Sequence, residues 1–191
     1  MTSTDYSPEK LAARAEITDR VNAWAQGVDR KDWALAASIF HPGATDNHGI
    51  FDGPADELVE MLKKRHASIT SSQHFITNIS IIFSGDNRAA VESYCLVWQR
   101  YSAEDREVRS AILGGAEVSD DPMDLLMGAR YVDFFERKGG AWKIARRETV
   151  FETSMKFDVL PDGPKMGPTW LLGRRDTEDT LFRMRAMVAA S

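Results

Sequence analysis

The chain holds little of what gives a chemistry away. Among its 191 residues there is one cysteine, Cys95, which excludes an internal disulfide and points to a reducing compartment. Within "VESYCLVW" it reads as a small buried hydrophobe, not a reactive thiol. No apolar run approaches the ~18–20 residues that cross a bilayer. The opening "MTSTDYSPEK" has no basic stretch followed by an apolar one, so no secretory signal is expected. The expectation is a soluble, cytoplasmic protein with no membrane partner. Lys and Arg total 24 against 29 Asp and Glu, a net charge of −5. The strongest basic cluster, "KIARR" (143–147), is too short to mark a nucleic-acid or anionic-membrane footprint. There is no glycine-rich phosphate loop, HExxH, CxxC or GxSxG. The four histidines, 41, 48, 66 and 74, are spaced by 7, 18 and 8 residues, which matches no zinc-ligand pattern. No metal and no cofactor are expected.

What is present is a core. Hydrophobic residues make up 43% of the chain, enough for one folded domain. After a polar lead-in over residues 1–9, expected to be flexible, Leu11, Ala15, Val21, Trp24 and Val28 recur at roughly helical spacing. "GVDRKD" ends that helix, and Asp32 caps a short apolar one, 32–40, which "HPG" (41–43) stops because proline cannot extend it. A short strand over 44–51 and a turn, "DGPAD", lead to a third helix, 55–67. Strands follow at 74–83 and 88–101, then a hairpin over 128–152 turning at "RKGG". Residues 102–127, with "GG" and "SDDP", read as a long surface loop of the kind that often serves as a lid. A Pro/Gly-rich linker, 160–168, precedes a C-terminal helix from about Asp176 to Val188, striped by Leu181, Met184 and Val188. Helices ahead of an antiparallel run argue for α+β. The picture is a cone-shaped, curved antiparallel (mixed) sheet, its N-terminal helices packed on the concave face around an apolar pocket. The cone occupies 10–155; the linker and last helix fill 156–191.

Chemistry is expected where Asp29 and His74 could meet. A carboxylate at a helix C-terminus is disfavoured by the dipole, so a tolerated one invites a partner. An imidazole acting as base needs a carboxylate to fix its tautomer and stabilise its cation. His48 shares a strand face with Asp46 and Ala44 and could contact a ligand. His66, near a helix C-terminus, suits a cation, and His41 reads as a cap or a solvated side chain. Strand alternation places Trp142, Ile144 and Arg146 on one face and Lys143, Ala145, Arg147 and Thr149 on the other. Spacing does not say which of the two arginines faces the pocket. A buried guanidinium would suit a leaving anion or an oxyanion.

The segments "AEITDRVNAWAQGVDRKDWALAASIFHPGA", "FDGPAD", "QHFITNISIIF" and "DFFERKGGAWKIARRE" resemble the SnoaL-like branch of the nuclear transport factor 2-like superfamily, over roughly residues 10–155. The pattern is similar to those of lindane dehydrochlorinase, bile-acid dehydratase and scytalone dehydratase. The resemblance implies a cone fold and a cofactor-independent lyase acting on a hydrophobic cyclic or aromatic small molecule. It implies His74 as base, Asp29 as its orienting partner and Arg147 as the stabiliser of the anion. Trp24, Phe40, Phe75, Trp98 and Tyr131, with His48, are the candidate pocket walls. Trp24 stands where those relatives carry lysine or tyrosine, which points to a different leaving group and substrate. The same dyad could serve an isomerase, an aldol-type cyclase or a formaldehyde-releasing retro-aldol lyase. A non-catalytic binding or oligomerisation module would instead have Asp29 and His74 apart, or a filled cone. The resemblance also implies a homo-oligomer, dimer or trimer, formed through the outer sheet face.

Overall fold

The computed structural model describes residues 6–159 and 166–190; residues 1–5 of the expected lead-in and 160–165 of the expected linker lie outside them. Ser7 caps helix α1 (Pro8–Arg30), accepting from the Lys10 N–H, and Pro8 takes the first turn, where its missing N–H costs nothing. The buried stripe of α1 is Ala13, Ile17, Val21, Trp24 and Val28. The expected Leu11 and Ala15 face solvent instead. The reason is phase: steps of four, four, three and four keep one face, whereas Leu11 and Ala15 fall beside it. Burying a side chain the size of Ile17, Val21 or Val28 is worth about 1.5–3 kcal/mol, so packing and not propensity holds this helix.

Asp32 caps α2 (Trp33–Ser38), as its sequence position suggests. "HPG" does not follow a helix, however; it lies within strand β1 (Phe40–Asn47). Pairing with the neighbouring strand jumps from Phe40 to Thr45, so Pro42, which has no N–H to donate, is looped out of the ladder. Next come β2 (Asp52–Pro54), α3 (Ala55–Arg65), β3 (Ile69–Ser84) and β4 (Arg88–Tyr101). The expected loop over 102–127 instead contains helix α4 (Arg106–Ile112) and the start of strand β5 (Met123–Lys138). This segment folds around Arg109, which is 1% exposed and donates to the carbonyls of Ala103, Ser119 and Asp121. β6 (Ala141–Asp158) closes the sheet, and α5 (Thr180–Ala189) begins after Asp179, not at Asp176, because the Asp179 carboxylate accepts from the Leu181 N–H. Its expected stripe is not buried: no residue of α5 is.

The six strands form one curved, unclosed, mixed sheet in the order β2-β1-β6-β5-β4-β3. Only β1 and β6 run parallel. The β5–β6 hairpin turns through Gly139 and Gly140 at φ 60° and 85°, the doubly positive conformation that a two-residue hairpin favours. α1 packs against β3 and β6, and α3 against β1, which encloses the core between the helices and the concave face. This is the expected α+β architecture. No helix among the described residues is long and apolar enough to cross a membrane.

α1 and α2 meet at Gly27, where an added Cβ would lie 2.6 Å from the Ala36 nitrogen and 2.9 Å from its Cα. Gly27→Ala is expected to destabilise the fold by about 1–3 kcal/mol, the usual range for forcing a methyl into a packed interior. An unchanged urea midpoint would refute the contact.

Candidate active site

β3 is an edge strand, so one row of its backbone groups has no strand partner. Side chains supply that row. The Ile81 carbonyl accepts from Arg14 (3.2 Å), the Ile69 carbonyl from Arg175 (2.6 Å), and the His74 N–H donates to Asp29 Oδ2 (2.8 Å). Asp29 Oδ1 accepts from Ser72 Oγ (2.8 Å) and from His74 Nδ1 (2.6 Å). Burial alone would raise the Asp29 pKa, but the hydrogen bonds and charge of His74 outweigh it and hold the carboxyl below its ordinary value. In the neutral ring, the bond to an ionised Asp29 places the proton on Nδ1, which leaves Nε2 with its lone pair. Asp29 and His74 are thus joined, as the pairing expected.

His74 lines a cavity of about 430 Å³ whose wall is largely apolar: Val28, Val97, Leu125, Met127, Ala129 and Phe151. It is neither filled nor separated from the dyad, in contrast to what a binding module alone was expected to show. Trp24, Tyr131 and His48 line it too. The Trp24 indole N–H donates to Tyr131 Oη (3.3 Å), fixing two of these walls to each other. His48 Nδ1 lies 3.3 Å from Asp46 Oδ1 and 3.2 Å from Thr149 Oγ1. Asp46 is fully buried, so a second histidine–carboxylate pair faces the same space. No cluster of three or more His, Cys, Asp or Glu among the described residues is placed to hold a metal ion.

Four expected residues are elsewhere. Phe40 is buried edge-on beneath Trp24 (5.6 Å between rings) and does not reach the cavity. Phe75 is 50% exposed on the outer face. Pairing of β3 with β4 skips between Thr77 and Ser80, and Asn78 has φ 50°. That bulge puts His74 and Ile76 in phase with Ile79, Ile81 and Phe83, so Phe75, two residues from Thr77, points out. Trp98 lies outside as well, stacked on Phe157 at 5.4 Å. Arg147 does face inward, and Arg146 outward, because a second bulge leaves Ala145 without a partner between the Phe134–Arg146 and Phe135–Ile144 pairs. Arg147 therefore shares the inner face with Trp142 and Ile144, not the opposite one. Yet it is wholly buried and absent from the cavity wall. Its Nε and Nη2 form a two-pronged pair with Asp133 (2.7 and 2.8 Å), and its guanidinium lies 4.2 Å from the Tyr131 ring centroid. Burial opposes its charge, but Asp133 outweighs that and raises its pKa.

Sequence reasoning missed four residues. Ser72, two residues before His74, was open to detection by strand alternation. Arg65 and Gln99 reach the cavity through pairings that no spacing reveals. Arg175 comes from the far end of the chain and donates to the carbonyls of Val28 and Asp29 (both 2.9 Å) and to His66 Nδ1 (2.7 Å). It thereby satisfies the C-terminal carbonyls of α1 directly behind the dyad. His66 is accordingly not the expected cation. Burial, then the charges of Arg175 and Arg65, push its pKa down to about 2. Cys95 is buried, and burial pushes its thiol up to about 11, in keeping with an inert residue.

The chain matches the model of the SnoaL-like domain over residues 9–148. Among solved structures it is similar to a scytalone dehydratase-like protein of Novosphingobium aromaticivorans DSM 12444, with 20% identity, a TM-score of 0.63, and coverage of 83% of this chain and 98% of that one. It is also similar to a type 2 hexachlorocyclohexane dehydrochlorinase LinA, with 19% identity, a TM-score of 0.64, and coverage of 85% and 98%. The type 3 LinA of Novosphingobium barchaimii LL02 gives 21%, 0.62, and coverage of 84% and 98%. At such identities the likeness establishes the fold. No curated protein matches the chain.

Two outcomes follow from the groups behind the dyad. Below the ordinary histidine pKa the unfolded chain takes up a proton that folded His66 refuses until about pH 2. Stability from this group is therefore full above about pH 6.5 and falls by about 1.4 kcal/mol per pH unit beneath it. His66→Asn is expected to flatten the pH dependence of the urea midpoint between about pH 6 and 4 by one proton; an identical slope contradicts the assignment. Arg175→Met, which takes a donor from three carbonyls, is expected to cost about 2–4 kcal/mol, read from the same titration.

Proposed function

The chain belongs to the SnoaL-like domain family, and on that premise we propose that it is a lyase, independent of any cofactor, acting on a hydrophobic cyclic or aromatic small molecule. The observation that carries this reading is the 2.6 Å contact between Asp29 and His74 Nδ1 beside a largely apolar cavity. Nε2 of His74 takes a proton from a substrate carbon. Asp29 holds the tautomer before the step and stabilises the imidazolium after it. His48, backed by Asp46, gives the leaving group its proton, while Trp24, Tyr131 and Phe151 hold the ring and exclude water. Arg147, neutralised by Asp133, acts as the cationic underside of Tyr131 and not as a ligand of the departing anion. The dehydratase- and dehydrochlorinase-type enzymes among the similar structures support an elimination.

A second reading draws on the same two histidine–carboxylate pairs. If His48 returned the proton to another carbon, the product would be an isomer. Product mass separates the two, since elimination loses water or a hydrogen halide and isomerisation loses nothing. A cytoplasmic homo-oligomer belongs to the proposal as well. Phe75, Tyr94, Leu96, Val132 and Phe134 stand half-exposed on the outer sheet face, more apolar surface than a lone domain usually leaves in water.

The test is a screen of cyclic alcohols, halides and aromatic diols by mass spectrometry, followed by variants. His74→Ala and Asp29→Asn are each expected to lower turnover by about 10²–10⁴-fold, the range of a positioned base, with folding retained. Full activity in both variants defeats the proposal. Light scattering on the wild type and on Leu96→Lys, which should dissociate the assembly, tests the outer face; a monomeric wild type contradicts it.

A further inference from the structure

The sheet treats its free backbone edges differently. Along β3, side chains from α1 and from the C-terminal segment supply partners that a strand would have given. β6 has a second free edge of another kind. Its pairing with β1 ends at Glu148, whereas its pairing with β5 runs on to Asp158. Over 149–158, then, alternate N–H and C=O groups of β6 point to a side where no strand lies among the described residues. Every residue from Phe151 to Asp158 is exposed, and the segment holds no proline. Proline or a covering element is the usual way in which an edge is kept from pairing. Glu152 has no partner in β5 between the Ala129–Phe151 and Gly128–Thr153 pairs, so it is a bulge, and 153–158 is the regular stretch beyond it. Phe157 stacks on Trp98 of the outer face, whereas Ser154 lines the cavity. By alternation Thr153, Met155 and Phe157 face outward, and Ser154 and Lys156 face the concave side.

We propose that this edge of β6 pairs antiparallel with the same edge of a second copy of the chain, about a twofold axis, so that two sheets become one. The segment is complementary to itself. Centred on Ser154, antiparallel pairing sets Thr153 opposite Met155 of the second copy and brings Glu152, at the bulge, to Lys156; the symmetry repeats each contact. A parallel pairing in register would set like charges against each other instead. Both charges have capacity to spare. Glu152 shares Arg130 with Glu92, at 2.7 and 2.6 Å. Lys156 meets the exposed Asp158 at 3.4 Å, a contact worth little in water. Pairing satisfies the open backbone groups of both copies and leaves neither edge free to recruit a third, so the assembly closes at two. It also carries the outer apolar face across the junction through Met155 and Phe157, and continues the cavity wall beyond Ser154 with the strand of the second copy. This surface is separate from the outer face and does not depend on the lyase reading.

A pairing of this length is small beside a standard interface, so it is tested by trapping. Cys95 is buried, and a single introduced thiol therefore reports alone. Ser154→Cys, oxidised with copper phenanthroline, is expected to give a disulfide-linked dimer, because directly opposite residues stand close enough to be bridged. Ser119→Cys, exposed in the segment before β5, supplies the collision rate, which trapping at 154 should exceed about tenfold or more. Packing through the outer face does not produce this crosslink, since it leaves the two Ser154 side chains on opposite sides of the stacked sheets. Adding Lys156→Glu to Ser154→Cys should slow trapping about threefold or more, and adding Glu152→Lys to that pair should restore it. Should the last variant fail to fold for want of the Arg130 contact, the first two comparisons decide. Trapping at 154 no faster than at 119 overturns the pairing and leaves the edge to solvent or to another chain. A rate indifferent to Lys156→Glu overturns it as well.

Discussion

One carboxylate sits where a helix dipole opposes it, and the site is arranged around its compensation. Asp29 ends a helix of 23 residues, at the pole where carbonyl oxygens already concentrate negative charge. It is tolerated because an edge strand offers it three donors at once: the backbone and side chain of His74 and the hydroxyl of Ser72. The same pairing anchors α1 to β3 and orients an imidazole over the cavity. Structure and candidate chemistry therefore draw on one set of hydrogen bonds. Loosening either partner loosens the helix–sheet junction as well, which is why the charge-neutral Asp29→Asn separates the two roles better than truncation does.

Arg175 completes the balance from the opposite side. It binds the α1 carbonyls at Val28 and Asp29 and the β3 carbonyl at Ile69, setting a permanent cation against the helix end. Burial outweighs its surroundings and brings its pKa down to about 10, still well above neutrality, so the charge persists. Its contact with His66 forces that imidazole to accept and stay neutral. A single residue from the C-terminal segment thus supports the dyad, caps the helix and fixes a wall of the cavity.

The fold was legible in the chain because it follows from local rules: phase in α1, an Asp32 cap, two glycines at a hairpin. The dyad was legible too, since Asp29 breaks one of those rules and a broken rule asks for a partner. What could not be read was register. Bulges at Asn78 and Ala145 reverse strand phase midway, sending Phe75 outward and Arg147 inward. Strict alternation continued across such a point misplaces every residue beyond it. Arg65, Gln99 and Arg175 were hidden for a related reason. Their partners lie tens of residues away, Arg175 being 109 positions from His66, and no periodicity spans that distance.

The placement of cations bears most on chemistry. Arg147 is wholly buried and Arg65 half-buried at the cavity wall, and they differ in what balances them. Asp133 is buried against Arg147 and holds it through two hydrogen bonds, so that guanidinium has little field left for a ligand. His48 is bonded to the buried Asp46 on that side of the cavity. Arg65 instead donates to the Tyr101 phenol and has no carboxylate partner among the described residues. The cavity consequently presents the His48–Asp46 pair on one side and the Arg65 guanidinium on another, with His74 at its wall.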